Sequence, residues 1–343
     1  MAIPSREQLP FHIYTAQQRP DLLKPLDEPD HPLNLLWPDF LDEDLTFKEF
    51  VPELANIESL RRFQFLAVER DFLTGEERII GLARSIPFYW EELSALGPGD
   101  FLLDHPKILD TLPDGGYDTI LSLGVQQSLA RQASLQSMGL TIDHQQHSAN
   151  ACSTQPPNAL SALSISVQKD RRKTGLAEIF IRKLKQTAID ENLQALVVPL
   201  RPTQKPSHPL IEMAEYIKWT DSAPDCTGLN LGPSQKPLGS FQGLQPTQPL
   251  HFDPWLRKHL RLGGRIVKVA PNSMMVRGTP EEWNRWTGID FDLQTLEQNS
   301  ACLDSNYVNV VIPGGLVPVR YNKKEKIGVY VEPNVWVFHE LRG

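Results

Sequence analysis

The segment from Leu160 to Leu200 constrains the fold of this chain more than any other part of the sequence. Leu160–Gln168 alternates branched apolar residues with small and polar ones, which indicates a strand with one buried face. Gly175–Asn192 carries apolar residues at helical spacing, so we expect an amphipathic helix there. The apolar stretch Leu193–Leu200 predicts a second strand. The segment therefore predicts a strand, a charged turn, a helix and a strand in succession.

The charged turn before that helix is the part of the segment with the clearest chemical meaning. Residues 172–177, which span the end of the turn and the start of the helix, match a short pattern (Arg or Gln, two variable residues, Gly, one variable residue, Gly or Ala). Chance produces such a match in roughly one of three chains of this length. The first turn of a helix leaves backbone N–H groups unpaired, and these groups and the helix dipole attract anions. Gly175 lets a phosphate approach the backbone closely. The residues concerned are Arg171, Arg172, Lys173, Thr174, Gly175, Leu176 and Ala177. They predict a pyrophosphate site; the alternative is a solvated basic turn before an ordinary helix.

Upstream of this segment, the clearest predicted element is a hairpin. Phe63–Arg70 and Arg78–Ile86 read as strands, and Thr74–Glu76 supplies the turn between them. Before the hairpin, the proline-rich residues 1–32 are expected to be irregular, and short helices are expected at 32–41 and 52–62. After it come a loop at 91–112, a helix of about 15 residues from Tyr117, and a polar surface insertion at 132–158.

Downstream, residues 202–254 read as a long proline-rich loop, with a candidate helix at Pro209–Trp219. Asp253 is a plausible cap for a helix over Trp255–Leu262 that ends at Gly263. The remaining predicted elements are strands at Arg265–Ala270, Val308–Arg320 and Lys326–Phe338 and a helix at Pro280–Thr287.

The order of hairpin, strand, basic loop, helix and strand, followed by the segment 253–263 that ends in a glycine, resembles the GNAT (Gcn5-related N-acetyltransferase) superfamily. The resemblance covers roughly Phe63–Ala270 and implies an α+β fold. We expect a GNAT-like mixed, mainly antiparallel central sheet flanked by helices. Residues 1–62 would carry the N-terminal segment and first helices, 63–270 the acyl-CoA-binding core with insertions at 91–158 and 202–252, and 271–343 a C-terminal β extension that closes the sheet of one compact unit.

The resemblance also implies an acyl-CoA-dependent acyltransferase. It implies transfer of acetyl from acetyl-CoA, or of another acyl group from its CoA thioester, to an amine that attacks the thioester directly. The cosubstrate would lie in a V-shaped opening between the parallel strands Leu160–Gln168 and Leu193–Leu200. Its pantetheine arm would pair with the first strand at Ile165 and Val167, and its pyrophosphate would bind at 171–177. A backbone N–H near Leu163–Ile165 would hold the oxyanion.

The acid and base of such a transfer are less evident. Relatives often place a Tyr four residues before the helix-ending glycine, where this chain has His259, which is therefore the predicted general acid. No Glu lies on the strand Leu160–Gln168, but Ser164 and Ser166 are predicted to order a catalytic water. Alternative candidates for the base are Glu212, Glu215 and Tyr216. Because the usual pair is missing, two further interpretations stay open: a non-catalytic acyl-CoA-binding module, and acyl transfer involving a carrier-bound phosphopantetheine.

Composition excludes several other classes of protein. A net charge of −8 and the lack of a long basic run argue against a nucleic-acid partner. No window of about 18 apolar residues predicts a membrane span, and three scattered cysteines and no visible secretory signal predict a cytoplasmic protein. His144 and His147 with Cys152 fit no zinc pattern, so no metal is expected. The expected partner is a small-molecule or peptide amine, and the C-terminal strands are candidates for a homodimer interface.

Overall fold

The fold is described by a computed structural model that covers residues 11–28, 30–71, 73–97, 100–139, 154–220, 250–291 and 306–341. The strands are β1 (His12–Thr15), β2 (Phe65–Arg70), β3 (Glu77–Phe88), β4 (Ala159–Val167), β5 (Ala195–Leu200), β6 (Gly264–Gly278), β7 (Tyr307–Val310), β8 (Val319–Asn322) and β9 (Ile327–His339). The helices are α1 (Leu45–Phe50), α2 (Glu53–Asn56), α3 (Glu58–Arg61), α4 (Pro106–Leu109), α5 (Gly116–Gly139), α6 (Leu176–Asp190), α7 (Met213–Tyr216), α8 (Pro254–Arg261) and α9 (Pro280–Thr287).

The nine strands form a single mixed sheet with the order β1-β2-β3-β4-β5-β9-β8-β7, and β6 pairs with β9 beside this path. Among the described strands, β4 and β5 form the one parallel pair, and every other pairing is antiparallel. The predicted mainly antiparallel α+β sheet is therefore confirmed.

The predicted hairpin is confirmed as β2 and β3. Their register pairs Phe65 with Ala83 and Arg70 with Glu77. Gly75 takes a φ of 74° in the turn, a conformation that glycine adopts without strain. The Asp71 side chain accepts hydrogen bonds from the backbone N–H groups of Leu73 and Thr74, which fixes the turn locally.

Helices cover both faces of the sheet. On one face, α6 packs Phe180 and Leu184 against a cluster that includes Leu160 of β4 and Val337 of β9. On the other face, α5 and the short helices α1 to α3 pack against a second cluster that contains Leu163 and Trp336. Each large apolar side chain fully buried in these layers contributes about 1.5–3 kcal/mol to the free energy of unfolding. The two layers hold the centre of the sheet from both sides.

The N-terminal predictions were partly wrong. The helix expected at 32–41 is two 3-10 turns, Asn34–Leu36 and Asp39–Glu43, because Pro38 interrupts the stretch in an extended conformation. The helix expected at 52–62 is split into α2 and α3, since Ile57 between them is extended. The strand β1 and the helix α1 were not predicted.

Several later elements have different lengths from those predicted. The helix from Tyr117 spans 24 residues rather than about 15, so it runs into the expected insertion at 132–158. The strand Arg265–Ala270 continues to Gly278 past an irregularity in its pairing with β9 between Ala270 and Met274. The stretch Val308–Arg320 forms two strands, β7 and β8. The helix expected at Pro209–Trp219 is the single turn α7. Of the expected loop at 202–254, residues 221–249 lie outside the described residues.

The β4 and β5 strands separate along their length, as the sequence led us to expect. They pair in parallel at Ala159–Ala195, Leu160–Leu196 and Ser161–Val197. Beyond Ser161, β4 continues to Val167 and β5 continues to Leu200 with no pairing between them. Because the two strands stop pairing there, their backbone groups line an opening in the middle of the sheet.

Candidate active site

An irregularity in β4 lies beside the opening between β4 and β5. On the β3 side, Arg84 pairs with Ser164, but the next residue of β3, Ser85, pairs with Ala162. Leu163 is therefore the extra residue of a bulge, the kind of feature that re-aims backbone groups and is frequent near active sites. On the β5 side, the edge of β4 past Ser161 is free to pair with an extended ligand. This geometry fits the predicted pantetheine position at Ile165 and Val167, which are half-buried against the α6 layer.

The loop after β4 leads into α6, whose N-terminus has no side-chain cap. Gly175 is the N-cap residue of α6, has a φ of 86°, and gives the helix no side-chain cap. Lys173 also has a positive φ, 68°, whereas Thr174 between them does not. Alternation of this kind turns successive N–H groups toward one point and forms a concave anion site. A Cβ placed on Gly175 would meet no atom within 4 Å, so space is open in front of the helix.

The side chains of this loop divide into two groups. Arg172, Lys173 and Thr174 are exposed around the start of α6. The side chain of Leu176 is buried with Phe180 against β3, so close that a Cβ on Gly81 would lie 2.9 Å from atoms of both. Leu176 can therefore serve an anion through its backbone N–H alone. The exposed cations and the free N–H groups together suit the pyrophosphate of CoA.

Arg171 is tied into an ion-pair network with the β2–β3 hairpin. Its Nη2 lies 2.7 Å from Oε2 of Glu69, and its Nη1 lies 3.0 Å from Oδ2 of Asp170. Arg78 of β3 contacts the same two carboxylates, at 2.9 Å and 3.1 Å. The hydrogen bond from Arg171, and to a smaller extent that from Arg78, lowers the pKa of Glu69. Arg171 thus fastens the loop to the hairpin.

His259 lies on the buried side of α8, away from the point where β4 and β5 separate. Its Nδ1 is 2.9 Å from Nε2 of His339, and His339 pairs with Leu196 where β4 and β5 are still joined. Burial, and then the neighbouring His339, lowers the pKa of His259 well below its usual value, so the ring is neutral near pH 7. No contact of His259 with the opening is found in the described part of the chain, and its role as general acid stays a prediction.

The two serines predicted on β4 have different surroundings. Ser166 Oγ accepts a hydrogen bond from Trp37 Nε1 at 3.0 Å, so the N-terminal segment lies over this face of the sheet. Ser164 Oγ is buried and has no hydrogen-bond partner among the described residues, and the same is true of Ser161 Oγ. Buried hydroxyl groups without partners are uncommon and point to a missing water or ligand. This fits the expectation that Ser164 orders a water.

The alternative base candidates lie elsewhere. Tyr216 is fully buried, and its hydroxyl donates to Oδ2 of Asp253 at 3.0 Å. Burial, and then the charge of Asp253, raises the pKa of Tyr216. Glu212 and Glu215 are exposed on the turn that carries Tyr216. None of the three is brought to the opening by a described contact.

A polar group that the sequence did not predict lies on the face opposite α6. It consists of Arg84 on β3, Tyr117 and Asp118 at the start of α5, and Asp42 and Asp44 before α1. Burial, and then the charge of Asp44, raises the pKa of Asp118 to about 9. Asp44 itself caps α1 by accepting from Phe47 N–H at 2.9 Å. These residues come from three separate segments, so no local pattern could have revealed them.

A second unpredicted group ties the end of β5 to β9. Glu332 is fully buried, and its two carboxylate oxygens lie 2.9 and 3.0 Å from Nε of Arg201. The Tyr330 hydroxyl donates to Glu332 at 2.6 Å, and the Asn334 amide donates to it at 3.1 Å. This network holds in place the residue that follows β5, next to the opening.

No group of three or more metal-ligating side chains occurs in the described residues. His144, His147 and Cys152 lie outside those residues. None of the described helices combines the length and the apolar character needed to cross a membrane.

Comparisons with known proteins identify relatives along nearly the whole chain. A scan against models of protein families found no match. The arginine N-acetyltransferase avaD of Aspergillus versicolor is 32% identical over 331 residues, which is 96% of this chain and 94% of that protein. Among solved structures, the loading GNATL domain of CurA from Lyngbya majuscula matches 96% of this chain and 98% of its own at 13% identity and a TM-score of 0.41. The GphF GNAT-like decarboxylase in complex with isobutyryl-CoA matches 96% of this chain and 100% of its own at 15% identity and a TM-score of 0.43. The chain also has a parallel strand pair that opens toward a basic loop and an uncapped helix. Because the avaD relative is this similar over almost the whole chain, the chain belongs to the GNAT superfamily of acyl-CoA-dependent acyltransferases.

Proposed function

We propose that this protein transfers the acetyl group of acetyl-CoA to the α-amino group of arginine or of a closely related cationic amino acid. The opening between β4 and β5, which ends at the uncapped start of α6, is the observation that carries this proposal. The name of the avaD relative supports the choice of acceptor. The α-amino group is the expected nucleophile because its pKa lies several units below that of a guanidinium group, so it gives up its proton far more readily.

Acetyl-CoA supplies the activated acyl group when it binds. The backbone N–H groups of 173–177 bind its pyrophosphate, and the side chains of Arg172 and Lys173 add positive charge. The free edge of β4 at Ile165 and Val167 pairs with the pantetheine arm. Arg171, held by Glu69, keeps the loop in this position.

The reaction itself needs an oxyanion site and a proton acceptor. A backbone N–H near Leu163–Ile165, at the bulge of β4, stabilises the oxyanion as the amine attacks. Ser164, whose hydroxyl has no partner in the described residues, orders the water that takes the amine proton. His259 remains the candidate acid for the leaving thiolate. Because it has no described contact with the opening, it must transfer its proton through an intervening group.

The cofactor site is tested with two glycine variants that impose similar backbone strain. Gly175 and Gly288 both have positive φ angles, 86° and 68°, and a Cβ on either would meet nothing within 4 Å. Gly175→Glu places a carboxylate in front of α6, whereas Gly288→Glu places one at the end of α9. We expect Gly175→Glu to raise the KM for acetyl-CoA at least tenfold, about 1.4 kcal/mol, and Gly288→Glu to leave it unchanged.

The reaction is followed by measuring the released CoA with a thiol reagent and by identifying the product with mass spectrometry. Equal losses in the two glycine variants would place the cofactor elsewhere. Saturable binding of acetyl-CoA by calorimetry without acetylation of any amine would support the non-catalytic module instead.

A further inference from the structure

Arg84 stands out among the arginines near the opening because it has no partner. Arg78, Arg171 and Arg201 all form ion pairs with carboxylates. Arg84 is half-buried on β3, and no hydrogen bond or ion pair to it is found in the described part of the chain. Burial lowers the pKa of its guanidinium group, and the nearby charges only partly offset this effect. A desolvated charge without a counter-charge is costly unless a ligand supplies one.

The position of Arg84 points to the reaction site. It lies directly across from Ser164, at the bulge where β4 turns toward the opening. Its neighbour Ala83 packs into the α6 layer, so the Arg84 side chain extends to the opposite face. Ser164 on this same face has a buried hydroxyl without a partner. Arg84 and the Ser164 hydroxyl, neither with a partner among the described residues, therefore lie at paired positions on the same face of the sheet, at the bulge.

The surroundings of Arg84 leave its charge largely uncompensated. Tyr117 and Asp42 are the groups close enough to affect it electrostatically. Burial raises the pKa of Tyr117, so the phenol is neutral. Asp42 is exposed to solvent and forms no ion pair with Arg84. The site is thus suited to a negatively charged ligand, and a carboxylate matches the two-pronged geometry of a guanidinium group.

We propose that Arg84 binds the α-carboxylate of the acceptor amino acid, a specificity role that rests on the proposed function. The phosphates of CoA are the other anions of the reaction, but their proposed site at 171–177 lies beyond the C-terminal end of β4. Because the α-carboxylate and the α-amino nitrogen share one carbon atom, Arg84 fixes the nucleophile beside the bulge of β4. The acceptor is therefore a free amino acid rather than a simple amine.

The test compares arginine with agmatine, which is arginine without its carboxylate. We expect the native enzyme to favour arginine, and Arg84→Gln to lower kcat/KM for arginine at least 100-fold while changing that for agmatine less than threefold. Arg84→Lys keeps the charge but loses the two-pronged geometry of the guanidinium group. We expect its kcat/KM for arginine to lie between the values of the native enzyme and of Arg84→Gln. Arg277→Gln, at an exposed position on β6, is the control and should change neither value.

Folding and cofactor binding are checked in the same variants. The melting temperature of Arg84→Gln should equal or exceed that of the native protein, since an unpaired buried charge is removed, and its affinity for acetyl-CoA should be unchanged. Equal losses for arginine and agmatine would overturn the inference and assign Arg84 to the acyl group or to the fold.

Further acceptors distinguish failure of the proposed function from failure of the proposed role of Arg84. The pairs lysine and cadaverine, and ornithine and putrescine, extend the comparison to other acceptors with and without a carboxylate. Acetylation of amines with no preference for the carboxylated member of any pair would reject the role of Arg84 and leave amine acetylation standing. No acetylation of any of these compounds would reject both.

Discussion

At the scale of single residues, burial determines the charge of two strongly perturbed groups, His259 and Asp118. Burial disfavours an ionised imidazole and an ionised carboxylate alike, so the pKa of His259 falls and that of Asp118 rises. Both groups are therefore neutral near pH 7. A neutral Asp118 lets two carboxyl groups, its own and that of Asp44, lie close together without the full repulsion of two charges.

The raised pKa of Asp118 makes stability depend on pH. The folded pKa of about 9 lies above the usual value of 3.8. The contribution of Asp118 is therefore fully present below about pH 4 and is lost as the pH rises toward 9. Asp118→Asn keeps the shape of the side chain and removes the ionisation. We expect it to increase the free energy of unfolding by about 1 kcal/mol or more at pH 9 and much less at pH 5.

Urea unfolding at pH 5, 7 and 9 measures this difference. Asp114→Asn is the control because Asp114 lies close by in the chain, is 64% exposed and pairs with Lys268 at the surface. Its effect should not grow with pH. A gain for Asp118→Asn that is the same at all three pH values would show that the folded protein does not hold Asp118 in its neutral form.

What the sequence could predict at this scale follows from locality. Gly175 and the basic residues before it lie within one short segment, where a glycine at a helix start has a direct physical meaning. Arg84 and Tyr117 become neighbours through the packing of α5 on β3, which no local pattern encodes. Their chemistry is visible once burial and missing partners are known.

At the scale of elements, the strongly periodic segments were predicted, as were the short elements β5, α8 and α9, whereas β1 and α1 were not. β2, β3, β4 and α6 were placed to within a few residues because alternation or helical spacing persists along each of them. β1 has four residues, too few to show alternation. The strand β6 was cut short in the prediction because Pro271 and Asn272 read as a break, whereas the structure accommodates them in an irregularity of the ladder.

The loop before α6 provides a prediction about how an element is positioned. Arg171 was predicted to bind the cofactor, but its guanidinium group is already paired with Glu69. If Arg171 acts by holding the loop, Glu69→Gln should weaken acetyl-CoA binding as Arg171→Gln does. We expect each to raise the KM for acetyl-CoA about 3- to 10-fold, as expected for an ion-pair network of about 1 kcal/mol, with kcat for arginine little changed.

The direction of the Glu69→Gln effect separates the two roles of Arg171. Direct binding of phosphate by Arg171 predicts tighter cofactor binding in Glu69→Gln, because the competing carboxylate is gone. Steady-state kinetics at varied acetyl-CoA gives the answer. Arg182→Gln, which breaks an exposed pair with Glu178 further along α6, controls for loss of surface charge.

At the scale of the whole molecule, the C-terminal strand β9 is central rather than peripheral. It pairs with β5, β6 and β8, so residues 327–339 join β5 to the C-terminal strands of the sheet. The sequence predicted these residues as part of an extension at 271–343 that closes the sheet. Strand order depends on contacts between distant segments, so periodicity in β9 could predict a strand but not its place.

The network around Glu332 connects the two halves of that sheet, and its removal tests how far they depend on each other. Glu332 is fully buried and satisfies Arg201, Tyr330 and Asn334 at once. Glu332→Gln leaves a largely buried guanidinium group without its counter-charge, so we expect the free energy of unfolding to fall by about 3 kcal/mol or more. Urea unfolding followed by tryptophan fluorescence measures the change.

The exposed pair of Arg182 and Glu178 on α6 is the matched control, because solvent screens its interaction and Glu178→Gln should cost little. Since Arg201 directly follows β5, the buried variant should also raise the KM for acetyl-CoA even though Glu332 touches neither the loop at 171–177 nor the edge of β4. Loss of stability with an unchanged KM would show that the opening keeps its shape without this network. The pairing of β5 with β9 alone would then account for the position of β5.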